Sequence, residues 1–238
     1  MGWQKLVMIA AILTGCGTPE TDTAPVDTGS AALPQPAVNA ERSNPPIDQA
    51  GETGAIIVML GDSLTAGFGL PSDQALPDQI GDRLEASGFK VQMVNSGVSG
   101  DTTAGGLARY DFSVAFHQPD LLILALGAND YLGGLAPADA EANLAAIIER
   151  AQGDGVPVVL TSVEARSTGI DDPRALAFGE IYPRLADTYD IPHFQGLLSS
   201  VRADPSLLLD DGLHPTAKGL GLIADQLAPF VAAYIPEP

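Results

Sequence analysis

Five apolar runs without polar alternation constrain this chain most: Ile56–Leu60, Val91–Val94, Leu121–Leu126, Val156–Leu160 and, more weakly, Ile191–Phe194. A strand with one wet face alternates polar and apolar residues. A run that stays apolar suits a strand covered on both faces, as in a parallel sheet. Between these runs lie segments with helical spacing. Leu76–Ser87 places Leu76, Ile80 and Leu84 four apart, and Thr102–His117 follows the second run. Pro137–Gln152 opens with Pro at a first-turn position and carries Leu144, Ile147 and Ile148. Pro173–Tyr189 carries Leu176, Phe178, Ile181, Tyr182 and Leu185; Pro215–Tyr234 carries Leu220, Leu222, Ile223 and Leu227. The order βαβαβαβαβα predicts an α/β domain: doubly wound, in three α/β/α layers, around a parallel sheet of about five strands. Ligands of such sheets bind at the carboxyl edge of the strands.

The segment before the first run has a different character. Lys5 gives a small positive region, and Leu6–Leu13 is apolar but too short to span a bilayer. Leu13-Thr14-Gly15-Cys16 then resembles the lipobox of bacterial lipoproteins. Residues 1–16 are therefore expected to be a signal peptide, with Cys16 the lipidated first residue of the mature chain. By resemblance to enterobacterial sorting rules, Gly17 in place of Asp favours the outer membrane, on the periplasmic face. Cys16 is the single cysteine, so neither an internal disulfide nor a cysteine metal cluster is available. Residues 17–54 lack aromatics and hold Pro19, Pro25, Pro34, Pro36, Pro45 and Pro46. Such a composition cannot bury enough apolar surface to offset its ordering entropy, and predicts a disordered tether. Residues 55–238 are expected to form one domain. The whole 238-residue chain carries a net charge of -19, which argues against a basic groove for nucleic acid.

Four short blocks stand at strand ends or near the C-terminus: Gly61-Asp62-Ser63-Leu64, Asn95-Ser96-Gly97-Val98-Ser99-Gly100-Asp101, Gly127-Ala128-Asn129-Asp130 and Asp211-Gly212-Leu213-His214. A serine needs an adjacent base to become a nucleophile, and the base needs an orienting partner. The first block supplies a Ser, and the last supplies a His with a carboxylate three residues earlier. Thr65 stands where the Gly-x-Ser-x-Gly elbow of α/β-hydrolases requires Gly.

Together the blocks resemble those of the GDSL/SGNH hydrolases, nearest the bacterial arylesterase, thioesterase I and lysophospholipase subgroup, over residues 55–235. The resemblance implies a flavodoxin-like layering. It implies Ser63 as nucleophile, His214 as base and Asp211 as its orienting carboxylate. It also implies an oxyanion hole from the Ser63 and Gly100 backbone N–H groups and the Asn129 amide. Gly97 is a rival to Gly100, and Asp210 to Asp211. The family's Ser-Gly-Asp-Thr context favours Gly100, and the Asp-x-x-His spacing favours Asp211. Asp62, Asp101 and Asp130 read as loop-fixing carboxylates, and His117 and His193 as structural residues. No set of His and carboxylates has metal-ligand spacing, so neither metal nor cofactor is expected.

The expected chemistry is hydrolysis of aryl or short- to medium-chain acyl esters through an acyl-enzyme on Ser63, extending to lysophospholipids or thioesters. Chain length is expected to be set by the loops Thr65–Ala75, Tyr131–Pro137 and Glu164–Pro173, with Phe68, Leu132, Leu135 and Ile170 as candidate groove residues. An enzyme anchored outside the cytoplasm would not meet acyl-CoA, which argues against fatty-acid synthesis. A small ester or lipid is the expected partner, with the membrane engaged through Cys16 and the protein a monomer. The rival readings are a carbohydrate O-acetyl esterase and a catalytically silent envelope lipoprotein that binds through the same cleft.

Overall fold

A computed structural model describes residues 54–162 and 172–236. The expected signal peptide, Cys16 and all but the last residue of the expected tether lie outside the described residues. The described residues all belong to one contact unit, Pro46–Pro238.

The chain runs through β1 (Ala55–Gly61), α1 (Ser63–Ala66), α2 (Leu76–Ala86), β2 (Val91–Gly97), α3 (Thr103–Ala108), α4 (Tyr110–Ser113), β3 (Leu121–Ala125), α5 (Ala128–Leu132), α6 (Pro137–Gly153), β4 (Val158–Thr161), α7 (Pro173–Gly179), α8 (Ile181–Tyr189), β5 (His193–Phe194) and α9 (Ala217–Ala232). All five strands pair in parallel, in the order β2-β1-β3-β4-β5. The three-layer α/β fold expected from the apolar runs is the fold observed.

Successive residues of the central strands feed two cores, as strand geometry demands. Ile57, Met59, Leu121 and Ile123 pack with Ile80 and Leu84 of α2 and with Ile223 and Leu227 of α9. Val58, Leu60, Leu122 and Leu124 face the other way, onto Leu144 and Ile147 of α6 and Ile181 and Leu185 of α8. Each such side chain is fully buried or nearly so, stabilising the fold by about 1.5–3 kcal/mol. Among the described residues, no helix is long and apolar enough to cross a membrane.

Several boundaries differ from expectation for identifiable reasons. The predicted helix over 173–189 is two helices with Glu180 between them. Pro183 lacks an N–H, and its ring would clash with the carbonyl of Gly179 in a continuous helix. The predicted helix over 102–117 breaks at Arg109 (φ −100°, ψ 8°), whose guanidinium is tied to Asp101 and to the Gly61 carbonyl. The last strand shortens to His193–Phe194, because Pro192 has no donor to give a ladder. The C-terminal helix starts two residues late: Pro215 bridges Leu208, and Thr216 caps the helix by accepting from the Gly219 N–H.

The register positions the functional loops. Gly61 pairs with Gly97 on one side and Ala125 on the other. Three strands thus end side by side, and the first three sequence blocks emerge together at the carboxyl edge.

Candidate active site

Asp62 directly follows the last residue of β1. Its carboxylate caps α1, Oδ1 accepting from the Leu64 N–H at 3.0 Å. Ser63 is thereby the first residue of that helix, where N–H groups have no intrahelical acceptor.

The base comes from a tight hairpin. Leu208 bridges Pro215, the Leu209 N–H donates to the His214 carbonyl at 2.7 Å, and the Gly212 N–H donates to the Leu209 carbonyl at 2.8 Å. At its tip, Asp211 Oδ1 accepts from the Leu213 and His214 N–H groups at 2.8 and 3.0 Å. That leaves Oδ2 against His214 Nδ1 at 2.7 Å. His214 Nε2 lies 2.8 Å from Ser63 Oγ. The structure therefore brings Ser63, His214 and Asp211 together, and it is Asp211, not Asp210, that meets the imidazole. The hydrogen bond to His214 holds the Asp211 carboxyl down at about 2. An ionised carboxylate only accepts, so the Nδ1 proton faces Asp211 and Nε2 is left as the acceptor for the serine hydroxyl.

Gly100 and Asn129 line the same cleft. Gly100 adopts φ +82°, and a Cβ built there meets nothing within 4 Å. Its glycine identity is thus explained by the left-handed backbone, not by crowding from protein atoms. Gly97 is differently placed. Its N–H donates to Asn95 Oδ1 at 3.0 Å, and a Cβ there would meet the Ala66 nitrogen at 2.2 Å. Asn129, in α5, donates from Nδ2 to the Asp101 carbonyl at 2.8 Å and, more weakly, to Asp62 Oδ2 at 3.3 Å.

The three other acidic residues within the blocks, Asp62, Asp101 and Asp130, hold the loops. Asp101 binds Arg109 Nε at 2.8 Å. Asp130 accepts from the Thr103 N–H at 2.9 Å and from its hydroxyl at 2.6 Å. Asp62 is 1% exposed, and burial pushes its carboxyl up to about 6. Neither His117 nor His193 lines the cleft; His193 is stacked on Tyr182, and burial lowers its pKa.

The cleft encloses about 240 Å³ and is mainly apolar, with Phe68, Leu132, Leu198, Leu208 and Leu213 in its walls. Phe68 and Leu132 were expected there. Leu135 is not among the lining residues; it lies 42% exposed, its carbonyl accepting from Arg174 Nη2 at 2.7 Å. Ile170, with most of the Glu164–Pro173 loop, lies outside the described residues. Leu198 and Leu208 carried no sequence signal, since both sit in irregular segments without periodicity. Among the described residues, no three His, Cys, Asp or Glu side chains gather as a metal ion would need.

Residues 59–221 match the model of the GDSL-like lipase/acylhydrolase family, a span that contains all four blocks. The chain is 33% identical over 182 residues to an arylesterase of Vibrio mimicus, covering 76% of this chain and 90% of that protein. It is 32% identical over 172 residues to thioesterase 1/protease 1/lysophospholipase L1 of Escherichia coli K12, covering 72% and 81%. Among solved structures, the SGNH-hydrolase family esterase AlinE4 superposes with a TM-score of 0.65 at 36% identity, covering 79% of this chain and all of that one.

Proposed function

Because the chain belongs to the GDSL-like lipase/acylhydrolase family and is a serine esterase, we propose that Ser63, His214 and Asp211 are its catalytic residues and that its substrates are aryl or short- to medium-chain acyl esters. The observation that carries the proposal is the unbroken path from Asp211 Oδ2 through His214 to Ser63 Oγ, with contacts of 2.7 and 2.8 Å, opening into an apolar cleft.

In this reading Ser63 Oγ attacks the acyl carbon while Nε2 of His214 takes its proton. Negative charge collects on the carbonyl oxygen, which faces the N–H groups of Ser63 and Gly100 and the amide of Asn129. Donors held in place before reaction are often the largest single catalytic contribution. The 3.3 Å bond from Asn129 to Asp62 is the one that gives way to the oxyanion, while the 2.8 Å bond to the Asp101 carbonyl keeps the amide aimed. Collapse of the intermediate expels the alcohol, which leaves with the proton from His214. Water, deprotonated by the same nitrogen, then attacks the acyl-enzyme and frees the acid and Ser63.

The cleft favours the aryl and shorter acyl substrates. Its 240 Å³ lies below the roughly 300–1,000 Å³ of pockets that bury a drug-sized ligand. Its apolar walls suit a hydrocarbon chain better than an acetylated sugar, which sets the carbohydrate O-acetyl esterase reading second. The relatives' names extend the candidates to lysophospholipids and thioesters. The test is hydrolysis of p-nitrophenyl esters from acetate to palmitate by the purified protein, with Ser63→Ala as control. Activity peaking between acetate and octanoate and absent from Ser63→Ala is expected; full activity in Ser63→Ala would overturn the mechanism, and inertness on every chain would revive the silent-binding reading.

The lipobox-like Leu13-Thr14-Gly15-Cys16 supports a further proposal: the enzyme is held at the cell envelope of a bacterium by a lipid on Cys16. Cys16→Ser would then move the protein from the membrane to the soluble fraction, and unchanged partitioning would sink the idea.

A further inference from the structure

The imidazole of His214 touches more than a serine and an aspartate. The ring of Phe68 lies over it, with centroids 4.3 Å apart and planes inclined by 30°. Phe68 belongs to the turn that carries the nucleophile. Helix α1 ends at Gly67, whose left-handed backbone (φ 74°) reverses the chain, and the Phe68 N–H donates to the Ser63 carbonyl at 3.1 Å. Ser63 and Phe68 are therefore two ends of one hydrogen-bonded unit. His214 arrives from a hairpin 151 residues further along and is received between them. Phe68 remains 47% exposed, while the His214 side chain is only 13% exposed. A half-exposed ring is thus stacked on a histidine that is itself almost buried.

We propose that Phe68 is a positioning residue for His214: its ring fixes the plane of the imidazole against Ser63 Oγ and steadies the imidazolium formed when the serine proton is taken. The proposal rests on His214 being the base. Two in-plane contacts, Nδ1 to Asp211 and Nε2 to Ser63, define a line through the imidazole about which the ring can still rock. A flat neighbour at stacking distance removes that freedom. The same face attracts the ring more strongly once it is charged, since an aromatic quadrupole is negative above its plane. The rival role, already implied by the lining of the cleft, is that Phe68 only contacts the acyl chain. The two roles separate cleanly. A positioning role acts on every substrate alike and on kcat; a wall acts on KM and according to chain length.

The experiment compares wild type, Phe68→Leu, Phe68→Met and Phe68→Tyr in the purified full chain. Steady-state kinetics are measured on p-nitrophenyl acetate and octanoate. The rate of inactivation by a small fluorophosphonate is measured as well: Ser63 Oγ bonds to phosphorus, fluoride leaves, and no acyl chain is involved. Both aliphatic variants should lose about 5–30-fold in kcat on both esters and in inactivation rate, with KM unchanged. Phe68→Tyr, which keeps the ring, should return to within about twofold of wild type. Inactivation at the wild-type rate in a folded Leu or Met variant would overturn the proposal. So would a change confined to KM for octanoate, or a Tyr variant as impaired as the Leu one. A wild-type protein that the fluorophosphonate leaves unmodified would instead overturn the serine mechanism itself, so the two failures are distinct.

Discussion

Asp62 places a carboxylate at 1% exposure immediately before Ser63, where its hydrogen-bond donors are the neutral Leu64 N–H and Asn129 amide. Burial disfavours the charged form and moves the acid from its ordinary 3.8 to about 6, against the opposing pull of the Leu64 N–H. The folded protein thus holds this proton up to about pH 6, whereas the unfolded chain releases it near 3.8. Between those values the folded form binds more protons, so the free energy of unfolding falls as pH rises. The roughly 2.2 pH units between 3.8 and about 6, at about 1.36 kcal/mol each, make the effect about 3 kcal/mol, present in full only below the unfolded value of 3.8 and lost as pH rises through about 6. Asp62→Asn removes the titration while keeping a side-chain oxygen for the Leu64 N–H, and Asn is an equally good helix cap. Urea unfolding of both proteins from pH 3.5 to 7.5 is the assay. The stability of Asp62→Asn relative to wild type should climb by about 2–3 kcal/mol between pH 3.5 and 7, then level off. Taking the difference cancels Asp211, whose lowered carboxyl acts in the opposite sense: its contribution stands above 3.8 and is lost as pH falls through about 2. Parallel curves for the two proteins would refute the reasoning, because Asp62 would then titrate as an exposed acid does.

Two further substitutions address the chemistry. In Asp211→Asn the remaining carbonyl oxygen is claimed by the Leu213 and His214 N–H groups, so the new NH₂ faces Nδ1 and drives the ring proton to Nε2, where it blocks Ser63. We expect kcat on p-nitrophenyl butyrate to fall about 10³–10⁴-fold with KM little changed, and retention of a tenth of wild-type activity would count against the assigned tautomer. Asn129→Ala should lower kcat and kcat/KM together by about 10²–10³-fold, since it removes a donor used only in the transition state. A rise in KM at constant kcat would show instead that Asn129 merely shapes the cleft.

The parts of this protein that were legible in its sequence are those encoded over short distances. The strands could be read because Ile57, Val58, Met59 and Leu60 are apolar in succession, in a short run that suits a strand covered on both faces. The Asp211 and His214 pairing could be read because its geometry is local: one carboxylate oxygen ties down the backbone two and three residues on, and the other then has no choice but the imidazole. The break at Pro183 was equally local, a ring set against the carbonyl four residues back, and periodicity of apolar residues alone passed over it. The break at Arg109 could not be read, because the guanidinium is held by the Gly61 carbonyl, 48 residues away. The cleft shows the same division. Leu132 and Phe68 lie close to the blocks in sequence and were expected in its wall, whereas Leu198 and Leu208 reach it only through the path of the chain after β5. Asp62 makes the distinction sharpest. As a helix cap it is a two-residue fact, available to any reader of Gly-Asp-Ser-Leu. As an acid that holds its proton to about pH 6 it is a product of burial, which depends on the packing around it and on no short stretch of sequence. A residue's role in local geometry can therefore be assigned before the fold is known, but its protonation cannot, and the chemistry of this site depends on both.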